Sequence, residues 1–215
     1  LVQDADALII RTRTHCNREL LEGSKVKFIA TATIGFDHID TEYCKQAGIE
    51  WANAPGCNSA SVAQYIQSSL LIWKSLRNKK PDELTIGIIG VGNVGSKVAK
   101  VAQDFGMRVL LNDLPREEKE GNIAGYSADG KANATRMSLD SICRFFHLSA
   151  TYEITPPAPS SPLIEAKDRE EALLKMYNPI EDSNRLKSHP ELFETLRGDY
   201  PLRREEKAYN IIGIK

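Results

Sequence analysis

Gly90-Val-Gly-Asn-Val-Gly95 is the stretch whose residue types and spacing speak most directly of chemistry. It follows the apolar run Thr85-Ile-Gly-Ile-Ile89 and opens a segment in which Val94, Val98, Val101 and Phe105 share one helical face. In a strand–turn–helix setting Gly90 permits the tight turn out of the strand. Gly92 lets backbone amides approach a pyrophosphate, and Gly95 lets helix and strand pack closely. Asp113 stands eighteen positions after Gly95, at the end of the next apolar run. A carboxylate there accepts hydrogen bonds from both ribose hydroxyls of an adenosine and repels a 2′-phosphate, which selects NAD over NADP. The competing reading is a helix start that needs glycine for packing alone.

A second group of polar residues stands at the ends of two other apolar runs. Arg11-Thr-Arg-Thr14 follows the first, and Thr31-Ala-Thr-Ile-Gly35 ends the second. Ligands of open parallel sheets sit outside the carboxyl ends of the strands, and these hydroxyls, arginines and loop amides suit a small anion bearing carboxylate, hydroxyl or phosphate. Helix-capping threonines and solvated arginines are the plain alternative. His15, His38, His147 and His189 have no carboxylate at a spacing that forces a pair or a metal site, and read as surface or capping residues. Cys57 precedes a helix start, where a thiolate is favoured, but the sequence places no general base beside it.

These residues need a frame. Ala7–Ile10, 26–31 and 49–53 read as strands. Between them lie a short helix capped by Asn17 and ended by Gly23, and a second capped by Asp40 and ended at Gly48. Connections this short imply a parallel sheet covered by helices. Ser59 opens a long helix, with Val62, Tyr65, Ile66, Leu70, Trp73 and Leu76 expected on its buried face. Further strands are expected over 85–89 and 107–112, and a helix from about 131 to 146. Four prolines between 156 and 162 mark a stiff linker, followed by helical segments over 168–177 and 190–196 and a strand over 208–214.

With 28 Lys and Arg against 29 Asp and Glu, the net charge of −1 offers a polyanion no footprint, so nucleic acid is excluded as a partner. No apolar run approaches the roughly 20 residues of a membrane span. The four cysteines lack C-x-x-C spacing and read as free thiols of a reducing, cytoplasmic compartment. The opening residues 1–7 read as the end of a helix entering a strand, with something expected before them.

Thr31-Ala-Thr-Ile-Gly-Phe-Asp-His-Ile-Asp40, Asn53-Ala-Pro-Gly-Cys-Asn58 and the glycine loop closed by Asp113 together resemble the D-2-hydroxyacid dehydrogenase family. A narrower likeness rests on Ala54–Asn58 with Tyr65 and Ser68-Ser-Leu-Leu71, on Ile123-Ala-Gly-Tyr126 with Gly130-Lys-Ala132, and on the C-terminal tail. It points to family members acting on a phosphorylated 2-hydroxy acid. The resemblance covers nearly the whole chain and is strongest to about residue 145. It implies an α/β fold of two Rossmann- or flavodoxin-like lobes with parallel sheets, plus a small C-terminal α+β dimerisation domain. Residues 1–58 would form the substrate lobe and 59–122 the NAD lobe. Residues 123–150 would return to the substrate lobe, and 156–215 would make a homodimer.

The same resemblance implies that Thr12, Thr33 and Tyr126 contact substrate, with the amides near Ile34 and Gly35 open to an acidic group. Gly90, Gly92, Asn93, Val94 and Gly95 would lie along the NAD pyrophosphate, Asp113 on the ribose and Gly125 on the cofactor. The family's chemistry needs an Arg for the carboxylate and a His–Glu pair, and none of the three stands at a matching position. Asn122 occupies the place expected for the His, directly before Ile123. The second half of a doubly wound domain, on the order of a hundred residues, is also missing there. An omitted segment between Asn122 and Ile123 is therefore expected, with a true deletion as the alternative. The implied activity is NAD-dependent oxidation of a phosphorylated 2-hydroxy acid. The rivals are another dehydrogenase of the family, such as one acting on 3-phosphoglycerate, and a non-catalytic NAD-binding scaffold.

Overall fold

The computed structural model describes residues 2–112, 127–193, 195 and 200–214, which divide into two compact units. Asp113, Asn122, Gly125 and Tyr126, singled out above, lie outside the described residues.

The first unit holds residues 2–57 and 131–155. Strands β1 (Ala7–Ile10), β2 (Phe28–Thr31) and β3 (Glu50–Ala52) form a parallel sheet in that order, with Ile10 opposite Thr31 and Phe28 opposite Glu50. Helices α1 (Arg18–Leu21) and α2 (Thr41–Ala47) connect them. Both start where the sequence says they should. The Asn17 side chain accepts from Leu20 N at 3.1 Å and the Asp40 side chain from Tyr43 N at 2.9 Å, while Gly48 closes α2 in a left-handed conformation. Ile10, Leu21, Val26, Ile29, Ile39 and Ile49 bury the apolar face together with Cys16 and Cys44. All four cysteines are free. Most of a later helix, Ala128–Phe145, belongs here: Ala134 packs on Ala32 and Ala54, and the Phe145 ring lies 4.8 Å from Phe28.

The second unit holds residues 58–112, 127–130 and the tail from 156. Its long helix is α3 (Ser59–Arg77), followed by a 3-10 turn over Pro81–Glu83. Strand β4 (Thr85–Ile89), helix α4 (Gly95–Asp104) and strand β5 (Arg108–Asn112) make a parallel β–α–β unit. Ile88, Val98 and Ala99 form its core, with Ile86, Val94 and Val109 packed against them. The outer side of the strand pair is left uncovered among the described residues, with Ile89 81% and Leu110 50% exposed. Helix Ala128–Phe145 is α5 in chain order. The tail adds β6 (Leu163–Glu165), α6 (Arg169–Met176), α7 (Pro179–Ser188) and β7 (Asn210–Ile212), the two strands pairing in parallel. Residues 156–162 run without regular structure.

Three expectations need correction. Helix α3 does not bury the expected face: Leu76 and Trp73 are exposed, whereas Ser61, Gln64, Ser68 and Leu71 are buried beside Val62. Polar partners from the end of the chain explain it. Ser61 Oγ donates to Glu205 Oε1 at 3.0 Å and Gln64 Nε2 to the Arg204 carbonyl at 3.4 Å. The expected helix over 190–196 is a 3-10 turn at Pro190–Leu192, and the second tail helix is α7 instead. Strand β6 has no counterpart among the expected elements, because three residues carry no period by themselves.

Candidate functional site

Two constellations stand at strand ends, one in each unit. In the first unit, β1 and β2 are adjacent and parallel, so the loops bearing Thr12 and Thr33 leave the same edge of the sheet. Thr12 lies exposed in the turn after β1, as do Arg11 and Arg13. Thr33 is half-buried in a loop fastened by the segment that follows β3 and by its own hydroxyl. Ala54 N donates to the Thr33 carbonyl at 2.8 Å, Asn53 Nδ2 to the Ile34 carbonyl at 2.7 Å, and Thr33 Oγ1 to the Gly35 carbonyl at 2.8 Å. Three successive carbonyls are thus turned into the protein. In trans peptides the N–H points opposite to the C=O of the same unit, so the amides of Ile34, Gly35 and Phe36 turn away from those partners. None of these amides has an acceptor among the described residues. Consecutive half-buried amides in this arrangement suit an anionic oxygen.

Asn53 and His38 stand in the runs that carry the family resemblance, but neither has a role at the site legible in the sequence. The one signal available for Asn53 is its place as the polar residue that follows β3, at the same sheet edge. His38, expected at the surface, is 8% exposed and sits behind the threonines, with Nε2 2.9 Å from Thr31 Oγ1. Burial and the neighbouring His15 hold its pKa below the ordinary 6.5, outweighing the opposite pull of Asp37. His15 and His147 are exposed, and His189 pairs with Glu191 at 3.5 Å. Cys57 is half-buried, and its carbonyl accepts from Asn133 Nδ2 at 3.1 Å. Among the described residues no group of His, Cys, Asp and Glu could hold a metal ion.

In the second unit the chain leaves β4 through Gly90, whose φ of +87° is open to glycine and strained for other residues. Gly90 N donates to the Asn112 carbonyl at 2.8 Å, tying the turn to the end of β5. Gly95 is fully packed. A Cβ there would stand 2.0 Å from the Gly90 carbonyl oxygen and 3.3 Å from Ile88 Cγ2, so α4 can lie this close only on glycine. A Cβ at Gly92 would meet nothing within 4 Å. Val94 is the N-cap of α4 and no side chain caps the helix, so the positive end of its dipole faces out of the loop with Asn93. Gly90, Gly92, Asn93, Val94 and Gly95 therefore stand together as one turn, with separate duties for backbone shape, open space and packing.

Parallel strands with polar loops at their carboxyl ends, and a glycine turn feeding an uncapped helix, define an α/β protein of the ligand-binding, Rossmann-like class. Residues 1–154 match the family described as D-isomer specific 2-hydroxyacid dehydrogenase, catalytic domain. The chain belongs to that family. It is 68% identical to the erythronate-4-phosphate dehydrogenase of Bacteroides thetaiotaomicron over an alignment spanning all of this chain and 90% of the relative. It is 48% identical to the enzyme of the same name from Bacteroides fragilis over the same shares. Both alignments run over 314 positions against 215 residues here, which leaves 99 positions with no residue of this chain. Among solved structures, D-lactate dehydrogenase from Aquifex aeolicus, complexed with NAD and lactic acid, is 29% identical with a TM-score of 0.43. The match covers 54% of this chain and 41% of that one. NAD-bound 3-phosphoglycerate dehydrogenase of Entamoeba histolytica is 31% identical with a TM-score of 0.40, over 57% and 43%. The matched part of the chain thus spans under half the length of these solved proteins.

Proposed function

We propose that the protein oxidises 4-phospho-D-erythronate to 2-oxo-3-hydroxy-4-phosphobutanoate with NAD, a step towards pyridoxal phosphate. The observation that carries this reading is the 68% identity, along the entire chain, to a relative named erythronate-4-phosphate dehydrogenase. The residues of the glycine turn fit the cofactor: Gly95 packs, Gly92 leaves room, and no side chain competes for the first amides of α4. When bound, NAD supplies the nicotinamide carbon that takes the hydride from C2 of the acid. Asn93 and Val94 lie along its pyrophosphate, Asp113 holds the adenosine ribose, and Gly125 touches the cofactor. On the substrate side, the amides of Ile34, Gly35 and Phe36 receive an acidic group, with Thr12, Thr33 and Tyr126 around the acid.

The Arg, Glu and His that act on the C2 hydroxyl belong, on this reading, to a segment between Asn122 and Ile123. The 99 positions without a residue of this chain support it. Its His takes the hydroxyl proton and its Glu orients that His. The reading carries with it a homodimer built on residues 156–215, a cytoplasmic location, and neither nucleic acid nor membrane as partner. The balanced charge supports the absence of nucleic acid, and no described helix is long and apolar enough to cross a membrane. The same 99 positions favour a second reading if they are truly deleted: an NAD-binding scaffold without turnover.

Intact mass together with NADH formation tests both. A mass well above 23.9 kDa, with turnover on 4-phospho-D-erythronate exceeding that on 3-phosphoglycerate, supports the dehydrogenase. Tight NAD binding at 23.9 kDa without NADH from either acid supports the scaffold. NAD affinity unchanged in Asp113→Ala would refute the role given to that carboxylate.

A further inference from the structure

A file of hydrogen bonds runs from the interior of the first unit to Thr33. His38 Nε2 lies 2.9 Å from Thr31 Oγ1, Thr31 Oγ1 lies 2.5 Å from Thr33 Oγ1, and Thr33 Oγ1 lies 2.8 Å from the Gly35 carbonyl oxygen. Thr31 is fully buried at the end of β2, and His38 is held from behind, its own carbonyl accepting from Cys16 N at 2.8 Å. The direction of the file follows from proton counting. A carbonyl only accepts, so Thr33 donates its single hydroxyl hydrogen to Gly35. Thr33 then has none for Thr31, so Thr31 donates to Thr33. Thr31 in turn has none for the imidazole, so His38 Nε2–H must donate to Thr31. The opposite order would leave the Gly35 carbonyl without its hydroxyl partner, while Ala54 and Asn53 would still hold the loop that presents the amides.

We infer that His38 is a positioning residue that, through Thr31, fixes Thr33 as a hydrogen-bond acceptor, so that Thr33 reads a substrate hydroxyl and not the acid group. This rests on the substrate class proposed above. Thr33 has one lone pair left after accepting from Thr31 and no hydrogen left to give. Towards a carboxylate or phosphate oxygen that lone pair is repulsive; towards a hydroxyl it is a partner. The hydroxyl on C2 gives up its proton during oxidation and is the business of the base. A permanent acceptor therefore fits the neighbouring hydroxyl on C3, and the acid falls to the amides of Ile34, Gly35 and Phe36. The order is the same whether His38 is neutral or protonated, because Nε2 carries a hydrogen in both forms.

Two measurements on the full-length protein test this. Long-range proton–nitrogen correlation spectra of the wild type should find neutral His38 as its Nε2–H tautomer; an Nδ1–H tautomer overturns the inference. Calorimetric titration should then compare 4-phospho-D-erythronate with its 3-deoxy analogue, 2-hydroxy-4-phosphobutanoate. One neutral hydrogen bond gives the wild type a preference of about fivefold for the 3-hydroxy acid. His38→Phe lets Thr31 accept from Thr33 instead, and should bring that preference close to one while holding affinity for the deoxy acid within about twofold. Thr31→Val leaves Thr33 donating to the Gly35 carbonyl with both lone pairs free, and should keep the preference. His38→Gln, whose amide nitrogen reaches the place of Nε2, should keep it. If His38→Phe does not fold, the wild-type tautomer decides the question on the same terms. Equal weakening of both acids overturns the inference alone. Failure of the wild type to bind either acid overturns the substrate reading, and this inference with it.

Discussion

Gly95→Ala and Gly92→Ala differ by the same methyl group and should part in their effects. At Gly95 the new carbon would lie 2.0 Å from the Gly90 carbonyl oxygen, 3.0 Å from its carbon and 3.3 Å from Ile88 Cγ2. The first two atoms are backbone and belong to a turn tied to β5 by the Gly90–Asn112 hydrogen bond. Relief requires α4 to withdraw by about an ångström or more from a sheet on which Val98, Ala99 and Ala102 are buried. Overpacking typically costs about 1–3 kcal/mol, and a backbone collision belongs at the upper end, so a loss of about 3 kcal/mol is expected. Urea unfolding followed by Trp73 fluorescence in a Trp51→Phe background reports on the second unit. With a slope of roughly 1–3 kcal/mol per molar, the midpoint should fall by about 1–3 M. At Gly92 the added carbon meets nothing within 4 Å, so stability should stay within about 0.5 kcal/mol while NAD affinity falls. A Gly95→Ala protein with an unshifted midpoint, or a Gly92→Ala protein that unfolds early, would refute this division of labour.

Asn53→Ala removes the donor on the Ile34 carbonyl and should weaken acid binding about fivefold while lowering stability by roughly 1 kcal/mol, measured by calorimetry and urea titration. Arg204→Ala strands a buried carboxylate, since Asp129 accepts from Arg204 Nε at 2.9 Å and Nη2 at 3.2 Å; a loss of about 3–5 kcal/mol is expected in the same denaturation assay. Burial raises the pKa of Asp129, but the hydrogen bonds from Arg204 and from Glu205 N outweigh it and bring it below 3.8. This contribution is therefore complete above that pH and lost as pH falls through the lower folded value, a slope that Asp129→Asn should abolish. His38 has a depressed folded pKa too: its contribution is present above pH 6.5 and lost on acidification. Unfolding midpoints between about pH 7.5 and 5 should show that slope in the wild type and not in His38→Gln.

Much of the fold is legible in the sequence because its signals are local. Asn17 and Asp40 cap helices by reaching amides three residues on, and Gly48 ends α2 in a conformation that its own lack of a side chain permits. The Asn178–Pro179 pair is an equally readable start for α7, with Asn178 accepting from Ile180 N; the proline at 190 carries the same signal and opens only a single 3-10 turn. Helix α3 misleads for a different reason. Its apolar residues have helical period, yet Ser61 and Gln64 are buried because Ser127, Arg204 and Glu205 supply their partners from 66 to 144 residues away.

By itself the sequence determined the parallel α/β units, the glycine turn between β4 and α4, and Thr33 as a residue of the loop after β2. Those follow from residue type and short spacing. Tertiary structure alone decided that Asn53 fastens the loop amides, and that His38 stands behind Thr31 and not in solvent. Each of these depends on where a second strand end falls against the first. That is fixed by sheet order and register, and no local run of residues encodes it.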